Sequence, residues 1–427
     1  MRELENKRLL LLGSNVWRDI IKRFADEYRV KLLFAGNNAG HLSEIVDEVY
    51  NVNSIDHEQM KDFIKTHDID GVYMGGSELV ISHACQYLNE LGYPCYCTKE
   101  QWGILQDKGH FKELCIKNGL PVVPQYIIDP KNIRDSLPAN AYPVITKPTD
   151  GSGSNGFSVC RNPEELEKGY ILASQNSFTG QVLCEKFVNN KGLVVFYSFS
   201  NGKMTYAMTE DKYPVKYEKQ GSYVAGLFLC ESRFKEEFRT RYENKIATMF
   251  QSIGIKEGTI WIEIFHENDD YYFNEVGYRY GGSFSFYSVD YIRGINQIYA
   301  DLYYATTGRS MLDGFSSLIP SSIERGKHYC IYPVHCLPGT IKEYKGLDEI
   351  RSWPNVVIVP LQHEIGDTIE DTGSFGQVVG LVHFTYDTLA DCQKTIIQIH
   401  QTFLALDEHG HNLLTMKLDW DNSNIAD

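Results

Sequence analysis

A lysine followed at once by a glycine-rich loop is the first feature of this chain that suggests chemistry. Residues 144–146 are β-branched and favour a strand, and Lys147 follows them directly. Gly151, Gly153 and Gly156 then form a flexible loop, and the aromatic and β-branched run after them predicts a return strand. Bare backbone amides beside a cation suit the binding of an anion such as a nucleotide triphosphate.

The spacing of these three glycines also fits the GxGxxG fingerprint of dinucleotide-binding loops. That fingerprint lies early in a βαβ unit and opens a helix, whereas this loop lies far into the chain and precedes a strand. We therefore reject the dinucleotide interpretation. An ordinary surface hairpin stays open as the alternative when the loop is considered alone.

Two glutamates on neighbouring strands are the second feature. Glu263 and Glu275 lie in apolar runs that predict the strands of one hairpin, at 258–265 and 271–276. If Phe265 pairs with Tyr271, Glu263 lies opposite Phe273 and Glu275 is one diagonal step away on the same face, about 7–8 Å at the backbone. Such a pair suits Mg²⁺, which takes one or two carboxylates together with substrate phosphates. Two solvated glutamates are the alternative, but their apolar neighbours argue for burial and a cationic partner.

Two further segments have groups that could contact a nucleotide or a reaction intermediate. Arg279 follows the second acidic strand, and a guanidinium can grip a phosphate or carboxylate with two hydrogen bonds. Glu185, Lys186, Phe187 and Val188 end an apolar strand whose backbone could meet an adenine edge, with the Glu185 carboxylate accepting from the adenine amino group. A surface ion pair and an ordinary strand end are the respective alternatives.

The elements that must position these residues follow from the periodicity of the chain. Strands alternate with helices over residues 1–107, which predicts a doubly wound parallel sheet with helices on both faces and a last strand around Tyr96. One amphipathic helix is predicted near 289–307. The last hundred residues predict a β-rich domain closed by a helix near 388–406.

Composition bounds the class of protein. The 427 residues are enough for several domains, and 43% hydrophobic and 23% charged residues are ordinary for a globular chain. The net charge of -15 argues against broad nucleic-acid binding, which needs basic surfaces. No apolar run is long enough for a bilayer and no secretory signal is evident, so a cytoplasmic protein is expected. The ten cysteines are scattered without the spacing of a zinc site, which agrees with a reducing compartment.

Five motifs in chain order resemble the ATP-grasp superfamily. They are Asp107-Lys108 at a helix start, Lys147 with the glycine loop at 150–156, Glu185-Lys186-Phe187-Val188, Glu263, and Glu275-Val276-Gly277-Tyr278-Arg279. The resemblance covers residues 1–300 approximately. Within the superfamily the chain is most similar to carbamoyl-phosphate-synthase-like proteins and carboxylate–amine ligases, and its C-terminal part is similar in layout to amino-acid-ligase-like members.

The resemblance implies an α/β fold, α+β in parts, with four units. They are a doubly wound parallel-sheet domain (1–107), an ATP-grasp subdomain with an α+β glycine-loop lid (108–188), an antiparallel-sheet subdomain with the magnesium site (189–326) and a β-rich C-terminal α+β domain (327–427).

The resemblance also implies roles for single residues. ATP phosphates would be bound by Lys108, Lys147, Lys212 and the loop residues Ser152, Gly153, Ser154 and Gly156. Glu185, Lys186, Phe187 and Val188 would line the adenine, and Glu263 and Glu275 would hold Mg²⁺. Arg279 and Lys147 would be catalytic, with Arg279 steadying the acyl phosphate. Gly277 departs from the pattern, because many members carry an asparagine there as a further metal ligand.

The implied activity is that of an ATP- and Mg²⁺-dependent ligase. It would join a carboxylate substrate, such as an amino acid, to an amine through an acyl phosphate and release ADP. The expected partners are small molecules and neither nucleic acid nor a membrane, while Mn²⁺ in place of Mg²⁺ and a homodimer stay open. Two other hypotheses also stay open. The chain could be a subunit of the carboxylase or carbamoyl-phosphate-synthase kind, or an ATP-binding regulatory protein without catalysis.

Overall fold

The computed structural model describes residues 3–13, 17–150, 156–189, 192–217, 222–421, 423 and 425. These residues form a parallel four-stranded sheet, an antiparallel four-stranded sheet, an antiparallel eight-stranded sheet and two short ribbons. The predicted combination of α/β and α+β structure is therefore confirmed.

The first sheet is doubly wound. Its elements in chain order are β1 (Arg8–Leu12), α1 (Arg18–Tyr28), β2 (Lys31–Ala35), β3 (Glu48–Tyr50), α2 (His57–Thr66), β4 (Gly71–Tyr73) and α3 (Glu78–Leu91). The strands pair in parallel in the order β3-β2-β1-β4. Side chains alternate along a strand, so Leu10 and Leu12 pack towards α2 and α3 while Leu9 and Leu11 pack towards α1.

The strand predicted around Tyr96 is absent from the described structure, and that prediction is wrong. This segment connects α3 to α4 (Lys99–Gln106) without pairing to the sheet. It is held by Tyr278 instead, whose hydroxyl donates to the Tyr96 carbonyl at 2.6 Å and whose ring contacts the Tyr96 ring. A short apolar run buried by such tertiary contacts has the same sequence pattern as a strand.

The second sheet carries the glycine loop. It follows α5 (Lys108–Lys117), whose first turn is capped by the side chain of Asp107. Its elements are β5 (Gln125–Tyr126), β6 (Val144–Pro148), β7 (Ser158–Cys160), α6 (Pro163–Gln175) and β8 (Val182–Lys186). The strands run antiparallel in the order β5-β8-β6-β7, so β6 and β7 form the predicted strand pair around the glycines.

The third sheet is the largest and contains the acidic hairpin. Its first part comprises β9 (Leu193–Ser200), β10 (Lys203–Tyr217), β11 (Ser222–Cys230), α7 (Lys235–Ser252), β12 (Gly258–Glu267), β13 (Asp270–Gly277), α8 (Phe286–Arg293) and α9 (Gln297–Thr307). The remaining elements are β14 (His328–His335), β15 (Gly339–Thr340), β16 (Glu343–Lys345), α10 (Leu347–Arg351), β17 (Val356–Ile358), β18 (Thr368–Ile369), β19 (Val378–Tyr386), α11 (Leu389–Thr402) and β20 (Leu404–Leu406).

The strand order of this sheet is β13-β12-β9-β10-β11-β14-β19-β17. Strands β14, β19 and β17 extend the sheet that carries the acidic hairpin, while β15 with β18 and β16 with β20 form the two ribbons. On one face, Val195 and Ile262 pack with α7, and on the other face Val194 and Phe196 pack with α8 and α9. Helices on both faces keep the sheet fixed, which a site spread over several strands requires.

The helix predicted at 289–307 is divided in two. α8 ends at Arg293, and Gly294 follows in the left-handed conformation with φ of 69° before α9 begins. Glycine adopts this conformation without steric cost, so it ends α8 although the apolar periodicity continues. Among the described residues, no helix combines the length and apolar character that a membrane crossing requires.

Candidate active site

The acidic hairpin of β12 and β13 turns over two residues. Asn268-Asp269 form the turn, and both residues have positive φ, as a tight hairpin turn of this kind requires. The turn sets Phe265 opposite Tyr272. The predicted pairing of Phe265 with Tyr271 is therefore wrong by one residue.

A bulge brings the two glutamates directly opposite each other. The register shifts between Glu263 and Ile264, so Ile264 faces Phe273 while Glu263 faces Glu275. Asn274 is the extra residue that this shift leaves without a partner in the ladder. The predicted diagonal placement is corrected to a direct one, and like charges directly opposite destabilise a sheet unless a cation compensates them.

Asn274 joins the hairpin to the lysine before the glycine loop. Its side chain is buried, and its Nδ2 donates to Glu263 Oε2 at 2.7 Å. Its Oδ1 accepts from Lys147 Nζ at 3.1 Å. The bulge therefore fixes one oxygen of Glu263 and also the position of the Lys147 ammonium.

The other oxygen of Glu263 is paired with Lys212 of β10. Lys212 Nζ lies 2.7 Å from Glu263 Oε1. Burial alone would raise the pKa of Glu263, but the Lys212 charge and the hydrogen bonds from Lys212 and Asn274 outweigh it and lower the pKa. In turn, the Glu263 charge raises the pKa of Lys212. Both groups are thus charged at neutral pH.

Glu185 is fully buried between two lysines. Lys147 Nζ lies 2.8 Å from Glu185 Oε2, and the Lys112 ammonium contacts the other oxygen. The predicted role of the Glu185 carboxylate as acceptor for an adenine amino group stays a prediction, and the structure shows a lysine side chain beside each of its oxygens.

Three ammonium groups are gathered where β6 leads into the glycine loop. Burial, followed by the positive charge of Lys108, lowers the pKa of Lys147 to about 8. Burial and the Lys147 charge also lower the pKa of Lys112. Lys108 lies in the first turn of α5, four residues before Lys112. Phosphate oxygens would relieve the repulsion among these cations.

The segment predicted to line adenine follows β8. The amides of Lys186 and Phe187 donate to the carbonyls of Pro124 and Pro143, so these two amides are already used within the protein. The Lys186 ammonium is 2.9 Å from Glu267 Oε2. Phe187 is 36% exposed and Val188 only 8%, so an exposed ring and a buried aliphatic side chain lie side by side at this strand end.

The glycine loop itself lies largely outside the described residues. Ser152, Gly153 and Ser154 belong to that undescribed part. Gly156 is described, and it has φ of +73°. A Cβ there would lie 2.8 Å from the Asn176 Cβ and 3.0 Å from Pro148, so the end of the loop has no room for a side chain.

Arg279 faces the first sheet. Its Nε lies 2.9 Å from Glu78 Oε1 at the start of α3, and its Nη1 donates to the Tyr280 carbonyl at 2.7 Å. The guanidinium lies over the Trp261 ring, 5.4 Å from its centroid. Gly277 permits this arrangement, because a Cβ at that position would lie 2.3 Å from the Trp261 indole.

A cavity of about 340 Å³ opens beside the acidic hairpin. Its charged lining groups are Glu263, Glu275, Lys212 and Glu210, and its other walls are mainly apolar or made of glycine and serine. The residues that line it come from five strands, from the segment between β13 and α8 and from a loop of the C-terminal part, namely Val194, Phe196, Glu210, Lys212, Tyr223, Val224, Ala225, Phe228, Trp261, Glu263, Glu275, Gly281, Gly282, Ser283, Gly373, Ser374 and Phe375.

The two glutamates fit a magnesium ion that is shared with a nucleotide. Within the described ranges, no three His, Cys, Asp or Glu side chains come together as a metal site. Mg²⁺ needs no such cluster, because one or two carboxylates, substrate phosphates and water complete its coordination. The directly opposed glutamates, with Lys147 and Lys212 close by, suit such a shared ion.

Three residues of the site escaped the sequence interpretation. The position of Lys112 could have been inferred from the sequence, because it lies one helical turn after Lys108 and therefore on the same face of α5. Asn274 acts only through a bulge that the strand pattern does not reveal. Glu78, at the start of α3, meets Arg279 across a separation of 201 residues in the chain.

Two segments of the chain match known families. Residues 107–194 match the family described as carbamoyl-phosphate synthase L chain, ATP binding domain. Residues 334–402 match L-amino acid ligase C-terminal domain 2. A relative, the 2-oxoglutarate carboxylase small subunit of Hydrogenobacter thermophilus, is 30% identical over 108 residues, which are 22% of this chain and 22% of the relative. The match thus spans less than a quarter of that relative's length.

Almost the whole chain is similar in fold to solved structures. L-amino acid ligase from Bacillus licheniformis has a TM-score of 0.74 at 19% identity, over 95% of this chain and 99% of that one. The biotin carboxylase domain of Hydrogenobacter thermophilus 2-oxoglutarate carboxylase, a dimer with MgADP, ADP and bicarbonate, has a TM-score of 0.74 at 16% identity, over 93% and 90%. Together with the matched segments, these likenesses show that the chain has the ATP-grasp fold, and the resemblance predicted from its motifs is confirmed.

Proposed function

We propose that the protein is an ATP- and Mg²⁺-dependent ligase that joins a carboxylate to an amine through an acyl phosphate. The observation that carries the proposal is the linked set of Lys147, Asn274, Glu263 and Lys212, with Glu275 directly opposite Glu263. Two lysine ammonium groups and two carboxylates close together support a site for a nucleotide and its metal ion. The likeness to L-amino acid ligase supports the carboxylate–amine class of substrates.

The charged groups divide into three roles. Lys108 and Lys147 bind the ATP phosphates together with Ser152, Gly153, Ser154 and Gly156 of the glycine loop, and Lys212 is a further phosphate ligand. Glu185, Lys186, Phe187 and Val188 line the adenine, and Glu185 also fixes Lys147 and Lys112. Glu263 and Glu275 hold Mg²⁺, or Mn²⁺ in its place. Arg279 gives up its ion pair with Glu78 and then steadies the acyl phosphate.

The chemistry proceeds in two displacements. The substrate carboxylate attacks the γ-phosphorus of ATP, which forms the acyl phosphate and ADP. The amine nitrogen then attacks the acyl carbon, the C–O bond to phosphate breaks, and the amine loses a proton. The bound Mg²⁺ neutralises phosphate charge. Alignment of the reactants can lower such a barrier by about 7–11 kcal/mol, so no side-chain nucleophile is required.

The test is ADP release with Mg²⁺ from a panel of carboxylates and amines. We expect release that requires one carboxylate and one amine together. Glu275→Gln should reduce it about 100-fold or more, because it removes a charge that holds the metal at the developing phosphate charge. Glu236→Gln, at an exposed position of α7, is the control and should retain the wild-type rate.

Two results would contradict the proposal. Full activity of Glu275→Gln would show that Glu275 is not a ligand of Mg²⁺. Tight ATP binding without turnover on the whole panel would favour a regulatory ATP-binding protein instead.

A carboxylase-type activity is the second candidate, because the relative and the neighbour from Hydrogenobacter are parts of a carboxylase. Bicarbonate is then the carboxylate that ATP phosphorylates. ADP release with bicarbonate alone, and no stimulation by amino acids, would favour this candidate over the ligase.

We further infer that the protein acts on small molecules in the cytoplasm. The net charge of -15 disfavours nucleic acid as a partner. A homodimer is suggested by the dimeric neighbour, and its measurement is the mass in solution.

A further inference from the structure

A third glutamate lies in the same row of the sheet as the metal pair. Glu210 of β10 faces Val194 of β9, Val194 faces Glu263 of β12, and Glu263 faces Glu275. Directly opposed residues point to the same face of a sheet, so these side chains share one face. Strands are spaced about 4.8 Å apart, which places Glu210 roughly 10 Å from Glu263 at the backbone.

Glu210 is buried but borders the cavity. It is 1% exposed, and it lines the same 340 Å³ space as Glu263 and Glu275. The separation of Glu210 from Glu263 leaves room in the cavity for a small substrate between the two carboxylates. The row therefore has the proposed metal ligands Glu263 and Glu275 at one end, the apolar Val194 in the middle and the Glu210 carboxylate at the other end.

The Glu210 carboxylate has a single hydrogen-bond donor among the described residues. The Ser283 hydroxyl lies 3.1 Å from Oε1 and 3.4 Å from Oε2. Among the residues that the structure describes, no lysine or arginine forms an ion pair with Glu210. Lys212 is two residues away on the same face of the sheet, but it is paired with Glu263. Burial raises the pKa of Glu210 to about 8, against smaller opposite effects of Ser283 and Lys212. In its charged form a carboxylate buried in this way requires a cationic partner, and the ion pairs among the described residues supply none.

The surroundings indicate what kind of cation would complete the site. Phe196, Phe228 and Trp261 line the cavity, and Phe375 joins them from the C-terminal part. The other charged groups that line it are Lys212, Glu263 and Glu275 of the metal end, and Cys230 of β11 lies opposite Glu210. Aromatic walls around one carboxylate suit an organic ammonium with an apolar body better than a hydrated metal ion.

We propose that Glu210 is a catalytic residue that binds the protonated amine substrate, a primary amine with an apolar body, and takes its proton. This inference rests on the proposed ligase function. One N–H bond of the ammonium breaks as its proton passes to a Glu210 oxygen, and the freed nitrogen lone pair attacks the acyl carbon as phosphate leaves. The second proton that the nitrogen loses passes to the departing phosphate. The Ser283 hydroxyl keeps the carboxylate directed into the cavity.

The alternative role for Glu210 is that of a neutral buried acid that shares a hydrogen bond with Ser283. The two roles differ in one respect that can be measured. A neutral acid can be replaced by glutamine without loss of amine recognition, whereas a proton acceptor cannot.

The experiment compares two nucleophiles on Glu210→Gln. For an apolar primary amine, kcat/KM should fall about 100-fold or more, the typical contribution of a general base. Hydroxylamine is unprotonated at neutral pH and needs no base, so hydroxamate formation from the carboxylate and ATP should stay at the wild-type rate. Glu257→Gln is the matched control, because Glu257 is also a buried carboxylate with a raised pKa but lines another cavity.

A second variant keeps the test decisive if Glu210→Gln does not fold. Ser283→Ala retains the carboxylate and removes its donor, and it should raise KM for the amine about 10-fold while hydroxamate formation is unchanged. Wild-type amine kinetics in a folded Glu210→Gln would overturn the inference. Absence of hydroxamate from the wild-type protein would instead overturn the acyl-phosphate mechanism, so the two failures are distinguishable.

Discussion

The carboxylate of Glu185 is balanced by two lysines that come from different parts of the chain. Lys112 belongs to α5 and Lys147 to β6, and both reach the fully buried Glu185 of β8. One carboxylate thus joins the helix before the lid to the strand that leads into the glycine loop. Removal of one partner from a buried ion pair is far more costly than removal of an exposed charge.

Lys112→Met should lower the free energy of unfolding by about 3 kcal/mol, because Glu185 loses one of its two cations in a buried position. Lys117→Met removes an exposed lysine from the same helix and should change it by less than about 0.5 kcal/mol. Urea denaturation of both variants measures the difference. Equal effects of the two substitutions would show that the Lys112–Glu185 contact contributes nothing specific.

A bulge and two glycines show how local backbone geometry determines the site at the scale of single elements. The bulge at Asn274 changes which residue faces Glu263, and Gly277 leaves space for the Trp261 indole that supports Arg279. A side chain at position 277 would therefore clash with the Trp261 indole. Gly156 at the end of the glycine loop has a similar constraint.

Gly156→Ala should destabilise the lid more than Gly180→Ala. Both glycines have φ near +74°, so alanine costs about 1–2 kcal/mol of backbone strain at either position. Only at Gly156 does the new Cβ meet another atom at 2.8 Å, whereas the nearest atom at Gly180 is 3.9 Å away. Overpacking adds about 1–3 kcal/mol, which urea denaturation of the two variants would resolve. A greater loss for Gly180→Ala would contradict this account.

At the scale of the whole molecule, the N-terminal sheet and the C-terminal part both contact the site. Glu78 binds Arg279, and the Trp17 ring lies edge-on to Tyr280 at 5.5 Å between centroids. From the other end of the chain, Phe375 closes the cavity, and β14 extends the sheet that holds the glutamates. The stability of the C-terminal strands should therefore influence the site.

His335, a buried histidine of β14, makes the stability of the C-terminal strands dependent on pH. His335 is bonded to Tyr217 Oη at 2.8 Å and to the Ala225 carbonyl at 3.1 Å, and burial lowers its pKa from 6.5 to about 4. Between pH 6.5 and 4 the unfolded chain binds a proton that the folded chain does not. The contribution of His335 to stability is thus complete above pH 6.5 and is lost as the pH falls towards 4, by about 3 kcal/mol in total.

The difference in free energy of unfolding between wild type and His335→Gln should therefore become smaller in acid. At pH 7.5 it should be less stable than wild type, and the difference should shrink by about 3 kcal/mol between pH 6.5 and 4, as urea denaturation at several pH values would measure. His328→Gln, at an exposed position of the same strand, is the control. A difference between wild type and His335→Gln that stays constant over this range would contradict the linkage.

Much of the site was predictable because its parts are local in sequence. Lys147 before the glycine loop, the strand pair of β6 and β7, and the presence of Glu263 and Glu275 on paired strands all follow from residue types and short-range periodicity. The order of these motifs was enough to predict the ATP-grasp fold. The individual roles of the site residues stay predictions until they are measured.

Residue types and local periodicity are enough to tell which charged groups the chain has and which strand or helix contains each of them. Their partners follow from the three-dimensional arrangement: Glu275 lies opposite Glu263, Lys112 contacts Glu185, Glu78 binds Arg279, and Glu210 lies in the same cross-strand row as Glu263. The reason is that a shift of one residue in register, here caused by a turn and a bulge, changes every cross-strand pair without changing the hydrophobic pattern of either strand. Contacts between distant segments also depend on how whole sheets pack, which no local stretch of residues specifies.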